Sequence, residues 1–446
     1  MRIAVVGLGY VGLVTASCLA RLGQEVTGIE RDSRRLETLR NGDVPYYEPH
    51  LAPDLKAGLA SGALTFADDP RRGLEQADVV MICVGTPSDG EGRADLTDVL
   101  DVTRAISEHV DNDPVVALRS TVPVGTTRRI EAELNVTRAR RSLAPLRVFA
   151  NPEFLRTGRA IEDFLRPTRV VIGTTGAPAP DALDRLVTLY GPLEAPIVVM
   201  DAESAELVKN ASNAFLAMRI SFVNELAALC DAAGASIDAV VEGMAHDPRI
   251  GGQFMRPGLG YGGSCLPKDV RSMLSMGRDR GLAMPLMGAV DAVNVGQIRT
   301  VAEELGDLLG RPLEGTRIAV LGLAFKPDTD DIRESAAIAL ARELVDRGAS
   351  VVGCDPRAAD RAAMALPALE LANGPLVAAS GADALVLATE WPEYTTMDMQ
   401  AVADAMRGDI LIDARNALDP DAAGAVGLRY AGIGRGGRHG QDSVGA

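Results

Sequence analysis

Cysteine is scarce in this chain: five among 446 residues, with no Cys-x-x-Cys pair. That excludes a disulfide framework and a thiolate zinc site, and no metal centre is expected. A sparse, odd count suits the reducing cytoplasm. Positive charge is also short, with 45 Lys and Arg against 61 Asp and Glu, a formal net charge of -16. The imbalance argues against a broad basic face for nucleic acid or an anionic membrane. Taken at face value it disfavours anionic ligands as well. There is no run of about 18 uninterrupted apolar residues, so no membrane span is expected. The apolar start is not expected to be a signal peptide, because Gly7, Gly9 and Gly12 interrupt it and a second strand-like run, Glu25–Glu30, follows at once. What remains is an ordinary globular composition, 47% hydrophobic and 24% charged. At roughly 150 residues per domain the length suggests about three domains.

Two stretches repeat one pattern. Arg2–Val6 and Arg317–Leu321 are short apolar runs, each followed by Gly-Leu, a helix-like segment and a second apolar run, Val26–Glu30 and Val351–Asp355. Further strand-like runs are Val79–Val84, Val115–Leu118, Val148–Ala150, Val170–Gly173, Ala384–Ala388 and Ile410–Asp413. Short apolar strands alternating with helical segments predict parallel sheets covered by helices. Ser204–Ala233 differs. It has no Pro or Gly, and Leu207, Val208, Ala211, Phe215, Met218, Phe222, Leu226 and Leu229 recur at helical spacing, with Ser204 as the expected cap. The fold class is therefore α/β, two doubly wound Rossmann-like domains joined by a long central helix and helical region. The expected boundaries are 1–200, 201–312 and 313–431, followed by a disordered Gly-rich tail over 432–446. So much apolar surface on one long helix also suggests contact with a second subunit.

Gly7-Leu8-Gly9-Tyr10-Val11-Gly12 matches G-x-G-x-x-G between a strand and a helix. The first glycine allows the tight turn, the second lets the backbone approach a pyrophosphate, and the third lets helix and strand pack closely. Glu30 ends the second strand and can accept the ribose hydroxyls, which favours NAD over NADP, although Arg31 stands beside it. A second candidate is Cys265, in the Gly-rich stretch G-L-G-Y-G-G-S-C-L-P-K-D (Gly258–Asp269), three residues before Lys268. Nearby cations and helix-end N–H groups stabilise a thiolate. Cys18, Cys83, Cys230 and Cys354 lie in apolar elements and read as small buried hydrophobes. On the long helix, Lys209 and Asn213 share a face at i, i+4. A lysine in an apolar stretch either meets an anion or extends its head to solvent, and both readings stand at this point.

Together these segments resemble the UDP-glucose/GDP-mannose dehydrogenases from Met1 to about Ala431. The resemblance rests on the glycine motif, V-G-T-P (Val84–Pro87), S-T-V-P-V-G-T-T (Ser120–Thr127), N-P-E-F-L-R (Asn151–Arg156), K-N-A-S-N-A-F (Lys209–Phe215) and D-P-R-I-G (Asp247–Gly251). It continues through the cysteine stretch and G-L-A-F-K-P-D-T-D-D-I-R-E-S (Gly322–Ser335). The family oxidises a sugar-nucleotide alcohol to a carboxylate with two NAD. The resemblance implies Cys265 as nucleophile with Asp269 as proton partner, and Thr121, Glu153, Lys209 and Asn213 around the reacting carbon. It further implies Phe154, Leu155, Arg256, Tyr261, Gly262 and Lys326 toward the sugar nucleotide, joined by Arg249 from a neighbouring subunit. The cofactor would meet Gly7, Gly9, Tyr10, Val11, Gly12, Glu30, Thr86, Thr121, Lys268 and Arg333. One departure stands out. Thr157 occupies a position where family members commonly carry a second Glu linked to the hydrolytic step, which leaves that step to Glu153 or Asp269.

UDP-glucose is the expected substrate, with UDP-N-acetylmannosamine and GDP-mannose as alternatives. A single-oxidation 3-hydroxyacid-type dehydrogenase would need neither Cys265 nor a second sheet domain. A non-catalytic NAD or sugar-nucleotide binder would have no use for Cys265, Lys209, Asn213 and Asp269 together. Expected partners are a UDP-sugar and a second copy of the chain, with no nucleic acid and no membrane.

Overall fold

A computed structural model describes residues 1–89, 91–176 and 180–435. It forms two compact units: Met1–Ser212 with Arg271–Leu282, and Asn213–Val270 with the chain from Ala283 onward.

The first unit is built on eight strands: β1 (Arg2–Val6), β2 (Glu25–Ile29), β3 (Leu64–Ala67), β4 (Val79–Ile82), β5 (Val115–Leu118), β6 (Val148–Ala150), β7 (Val170–Thr174) and β8 (Ile197–Asp201). Their order is β3-β2-β1-β4-β5-β6-β7-β8. The second unit has six: β9 (Arg317–Leu321), β10 (Ser350–Cys354), β11 (Glu370–Leu371), β12 (Ala384–Leu387), β13 (Ile410–Asp413) and β14 (Arg429–Gly432), ordered β11-β10-β9-β12-β13-β14. The central strands are apolar throughout because both faces are covered. Ile3 and Val5 of β1 enter one core, while Ala4 and Val6 enter the core on the opposite face. β9 repeats this, Ile318 and Val320 facing one core and Ala319 and Leu321 the other. In each sheet the order reverses beside the first strand, between β1 and β4 and between β9 and β12. Open α/β sheets bind ligands at the carboxyl ends of strands at such a switch point.

Both doubly wound sheets stand as expected from the sequence, with two differences. First, β3, β8, β11 and β14 were not anticipated. All four are edge strands: β3, β11 and β14 carry no continuous apolar run, both residues of β11 are exposed, and β8 has the apolar run Ile197–Met200 on a half-exposed edge. Second, β7 pairs antiparallel with β6 through Ala150 and Gly173. The connection between them is spent on loops and the six-residue helix Ala160–Leu165 rather than on a full crossover.

The long helix runs Ala202–Ala233, 32 residues, and passes from the first unit into the second. Ser204 is not its cap. The helix begins two residues earlier, where the Asp201 carboxylate accepts both the Ser204 N–H and the Ser204 hydroxyl, each at 2.8 Å. A cap acceptor must precede the turn whose free N–H groups it satisfies, and Ser204 lies within that turn. The tail also differs from expectation. Gly432 closes β14, Ile433 is buried and exchanges two hydrogen bonds with Asn416, and Arg435 donates to Asp238 at 2.7 Å. The remainder of that tail, residues 436–446, lies outside the described residues. No helix among the described residues is long and apolar enough to cross a membrane.

The Ser204 N–H and then its hydroxyl hold the Asp201 carboxyl below the usual carboxylate range. A depressed folded-state pKa stabilises above the ordinary carboxylate range and is lost as pH falls through the acid range. Loss of the acceptor at the helix start in Asp201→Ala should lower the Tm by about 1–2 °C at neutral pH. The difference should vanish in acid, as followed by calorimetry at stepped pH.

Candidate functional site

The first group of site residues lies in the first unit at the β1–β4 switch point. β1 stops at Val6 and a helix starts at Tyr10. Between them, Gly7 has φ +89°, and a Cβ there would lie 2.8 Å from Val84 Cγ1. A Cβ on Gly12 would lie 1.8 Å from the Gly7 carbonyl oxygen, whereas one on Gly9 would meet nothing within 4 Å. The turn is thus closed on its protein side and open where a phosphate approaches. Glu30, 5% exposed, is held beside the turn. Its Oε2 accepts the Leu8 N–H at 3.1 Å and Arg35 Nη1 at 3.2 Å, and its Oε1 accepts the Asp32 N–H at 3.0 Å. Arg31 turns instead to Asp98, at 2.8 Å. The cation beside Glu30 is therefore Arg35, which the sequence pattern did not single out. At the ends of β4 and β5, the Thr86 hydroxyl donates to the Thr121 carbonyl oxygen at 2.7 Å, joining two of the motif segments. An open glycine turn on a helix start, with a fixed carboxylate at the end of the second strand, fits NAD.

Lys209 is 3% exposed and does not reach solvent. Its Nζ lies 3.1 Å from Glu153 Oε1 and 5.5 Å from the Phe154 ring, a ring that also carries the Arg169 guanidinium at 3.7 Å. The other oxygen of Glu153 accepts the Leu155 N–H at 2.5 Å. The start of this segment is pinned by Asn151, whose Oδ1 accepts from Arg119 at 3.0 Å and from the Tyr190 hydroxyl at 2.5 Å.

Two further residues on the same helix turn escaped the sequence reading. Glu206 accepts the Gly125 N–H at 2.6 Å, the Thr127 N–H at 2.7 Å and the Thr127 hydroxyl at 2.6 Å. Asn210 donates to the Val122 carbonyl oxygen at 3.3 Å. They clamp the S-T-V-P-V-G-T-T segment, which carries Thr121, onto the helix that carries Lys209. Burial pushes the Glu206 carboxyl up, against the lowering by its Thr127 and Gly125 donors. Their signal was present only as polar residues close to Lys209 on the same helix.

The second group lies in the second unit. Asn213 Nδ2 donates to Asp269 Oδ2 at 2.6 Å. Asp269 is 1% exposed; its other oxygen is 2.7 Å from Lys268 Nζ, and its N–H donates to the Cys265 carbonyl oxygen at 2.9 Å. Cys265 is the only exposed cysteine of the five and immediately precedes the helix Leu266–Arg278. Burial pushes the Cys18 and Cys83 thiols up to about 12, which leaves them inert. Hydrogen bonds to Asp331 hold the Arg333 guanidinium above its usual range, reinforced by the nearby Cys265 sulfur, so a cation stands close to that sulfur.

The glycines of the cysteine loop admit two neighbours. A Cβ on Gly262 would lie 2.2 Å from the Glu334 carbonyl oxygen, and one on Gly263 2.8 Å from the Phe325 ring. Lys326 and Arg333 are thereby carried on a segment packed against that loop. Tyr261 is buried, its backbone exchanging two hydrogen bonds with Asn294. Arg249 is exposed and held by Asp247, and Arg256 is exposed. No His, Cys, Asp and Glu cluster among the described residues has the grouping of a metal site.

The glycine turn and Glu30 define a dinucleotide-binding protein of the doubly wound class. Comparison with known families carries this further. The NAD-binding domain of the UDP-glucose/GDP-mannose dehydrogenase family matches residues 1–194, its central domain 203–295 and its UDP-binding domain 319–420. The chain belongs to the UDP-glucose/GDP-mannose dehydrogenase family, and its cofactor is NAD. It is 41% identical over 439 residues to a UDP-glucose 6-dehydrogenase of Rhizobium meliloti, covering 98% of this chain and all of that one. A solved UDP-glucose dehydrogenase from the archaeon Pyrobaculum islandicum superposes with a TM-score of 0.90 at 37% identity, covering 97% of both chains. A solved UDP-D-ManNAc dehydrogenase from Pyrococcus horikoshii gives 0.87 at 30% identity, covering 98% of this chain and 100% of the other.

Two outcomes follow from this geometry. Gly12→Ala forces the helix start off the turn, so calorimetric titration with NADH should show at least about a tenfold loss of affinity. Glu206→Gln places an amide against three donors and should cost about 2 kcal/mol in chemical denaturation at neutral pH.

Proposed function

We propose that the chain oxidises the C6 alcohol of UDP-glucose to the carboxylate of UDP-glucuronate, consuming two NAD through a covalent intermediate on Cys265. The observation that carries this is Lys209, buried with its charge met by Glu153, four residues before Asn213, which holds the buried Asp269. Relatives of nearly equal length support UDP-glucose as the sugar nucleotide.

NAD, when bound, supplies the hydride acceptor for both oxidations. Lys209 and Asn213 act as fixed donors for the developing alkoxide, a charge that preorganised N–H groups stabilise without reorganisation. A water on Asp269 takes the alcohol proton. The Cys265 thiolate, with the Arg333 cation close by, then attacks the aldehyde carbon. A C–S bond forms and the carbonyl oxygen becomes the oxygen of a thiohemiacetal. The second oxidation turns this into a thioester. Water then adds to the thioester carbon, the C–S bond breaks, and the thiolate returns as the carboxylate forms. Thr157 offers no carboxyl, so Glu153 or Asp269 serves as the base for that step. Holding the aldehyde on sulfur also keeps it from escaping.

Residues 1–200 take NAD through Gly7, Gly9, Tyr10, Val11, Gly12, Glu30, Thr86 and Thr121, with Lys268 and Arg333 contributing. Residues 201–312 carry the helical region and the cysteine loop, and 313–431 bind the sugar nucleotide. Lys326, Arg256, Tyr261, Gly262, Phe154 and Leu155 contribute to that binding, with Arg249 given by a second copy. Leu207, Phe215, Phe222 and Leu229 form an exposed stripe on the long helix, Phe215 at 54% and Leu229 at 62%, which supports a homodimer. Five cysteines, none of them joined in a disulfide, support a reducing, cytoplasmic setting. The likeness to the UDP-D-ManNAc enzyme supports a second reading, the same chemistry on UDP-N-acetylmannosamine.

NADH formation with UDP-glucose, UDP-N-acetylmannosamine and GDP-mannose separates these readings. The proposal expects turnover on UDP-glucose with two NADH per sugar. One NADH per sugar, or turnover only on another sugar nucleotide, contradicts it. Cys265→Ala should cut acid formation by about a thousandfold or more.

A further inference from the structure

We propose that Glu48 is a positioning residue that couples occupation of the dinucleotide turn to the Glu153–Lys209 pair. The inference rests on reading the turn as the NAD site and the pair as part of the reacting machinery. Glu48 is 6% exposed. Its Oε2 accepts both the Tyr10 hydroxyl and the Gly158 N–H, the latter at 2.6 Å, and its Oε1 accepts the Ala160 N–H at 2.7 Å. These donors come from two separate functional segments. Tyr10 opens the helix directly after Gly9, so its main chain belongs to the pyrophosphate turn. Gly158 and Ala160 close the segment that starts at Asn151 and carries Glu153.

The loop bearing Glu48 is fastened to the turn a second time. The Tyr46 hydroxyl donates to the Tyr10 carbonyl oxygen at 3.3 Å, and the two rings pack with centroids 5.2 Å apart. Burial, reinforced by the Glu48 carboxylate, pushes the Tyr10 phenol far up, so it stays a donor. One carboxylate oxygen is thus shared between the cofactor turn and the Glu153 segment. A buried carboxylate that loses one donor is costly, so the two segments hold their places together. The other end of the segment is anchored independently, by Asn151 Nδ2 on the Val171 carbonyl oxygen at 2.9 Å. Glu48 is thus a hydrogen-bonded link that can carry the state of the turn to that segment.

Hydrogen exchange of peptides spanning 156–162, with and without NADH, tests this. In the unchanged protein NADH should slow exchange at Gly158 and Ala160 by about tenfold or more. Tyr10→Phe keeps the ring and removes the shared hydroxyl. With NADH at saturation for the variant, set by calorimetry, the added protection should fall by about tenfold. In steady state its kcat should fall more than its KM for NAD rises. Glu48→Gln, left with one acceptor oxygen for three donors, should show the same loss of coupling. Full NADH-dependent protection in Tyr10→Phe overturns the proposal, as does full protection in a Glu48→Gln protein that melts normally. Protection is read with NADH alone, so failure of the UDP-glucose reading leaves this result standing, and the reverse also holds.

Discussion

A lysine ammonium buried to 3% exposure is costly unless an anion and hydrogen bonds compensate its lost water, and Glu153 supplies both here. The surrounding structure maintains that pairing. Asn151, gripped by Arg119 and Tyr190, fixes where the Glu153 segment leaves β6. Glu206 and Asn210 hold the Ser120–Thr127 segment to the same helix turn. Four residues further on, Asn213 holds Asp269 in the second unit. The family's motifs are thus the two ends of hydrogen bonds that keep charged groups fixed and out of water, which is the condition for electrostatic stabilisation of a developing charge.

The acidic balance of the whole chain proved a poor guide to its ligand. A net charge of -16 describes the long-range field, not the lining of a cleft. At the first switch point the anion would be met by backbone N–H groups of an open glycine turn. The second sheet shows how the same pattern can lose that function. Asp355 stands at the end of β10 as Glu30 stands after β2, but it accepts the Leu323 and Ala324 N–H groups at 2.7 and 2.9 Å and the Trp391 indole N–H at 3.1 Å. Its other oxygen is taken by the Arg357 and Ala358 N–H groups. A carboxylate holding five donors, against three at Glu30, is more fully committed to structure and less free to meet a ribose.

Much of this was legible in the sequence for physical reasons. Strands buried on both faces appear as unbroken apolar runs, and the glycine turn announces itself because no other residue fits at Gly7 and Gly12. The long helix was visible from its period, but not its start, because Asp201 ends β8 and caps the helix by reaching three residues ahead to Ser204, a contact that periodicity does not record. Cys265 stood out by its polar, Gly-rich neighbourhood, and it alone of the five cysteines is exposed. The anchoring residues were the harder part. Glu48, Glu206 and Arg119 act on segments 32 to 112 residues away, and local spacing carries no record of such partners. The fate of Lys209 could not be decided from helix position alone, because a buried paired lysine and a solvent-reaching one share the same pattern.

The account stands most directly on the buried pair, and a double-mutant cycle in chemical denaturation measures it. Lys209→Met and Glu153→Gln each strand one charge or its partner, and each should cost about 3–5 kcal/mol. The double variant, with neither charge left, should cost no more than the larger single change. Costs that simply add, or single changes that leave stability untouched, would mean that Lys209 and Glu153 do not meet in the folded protein and would contradict the account.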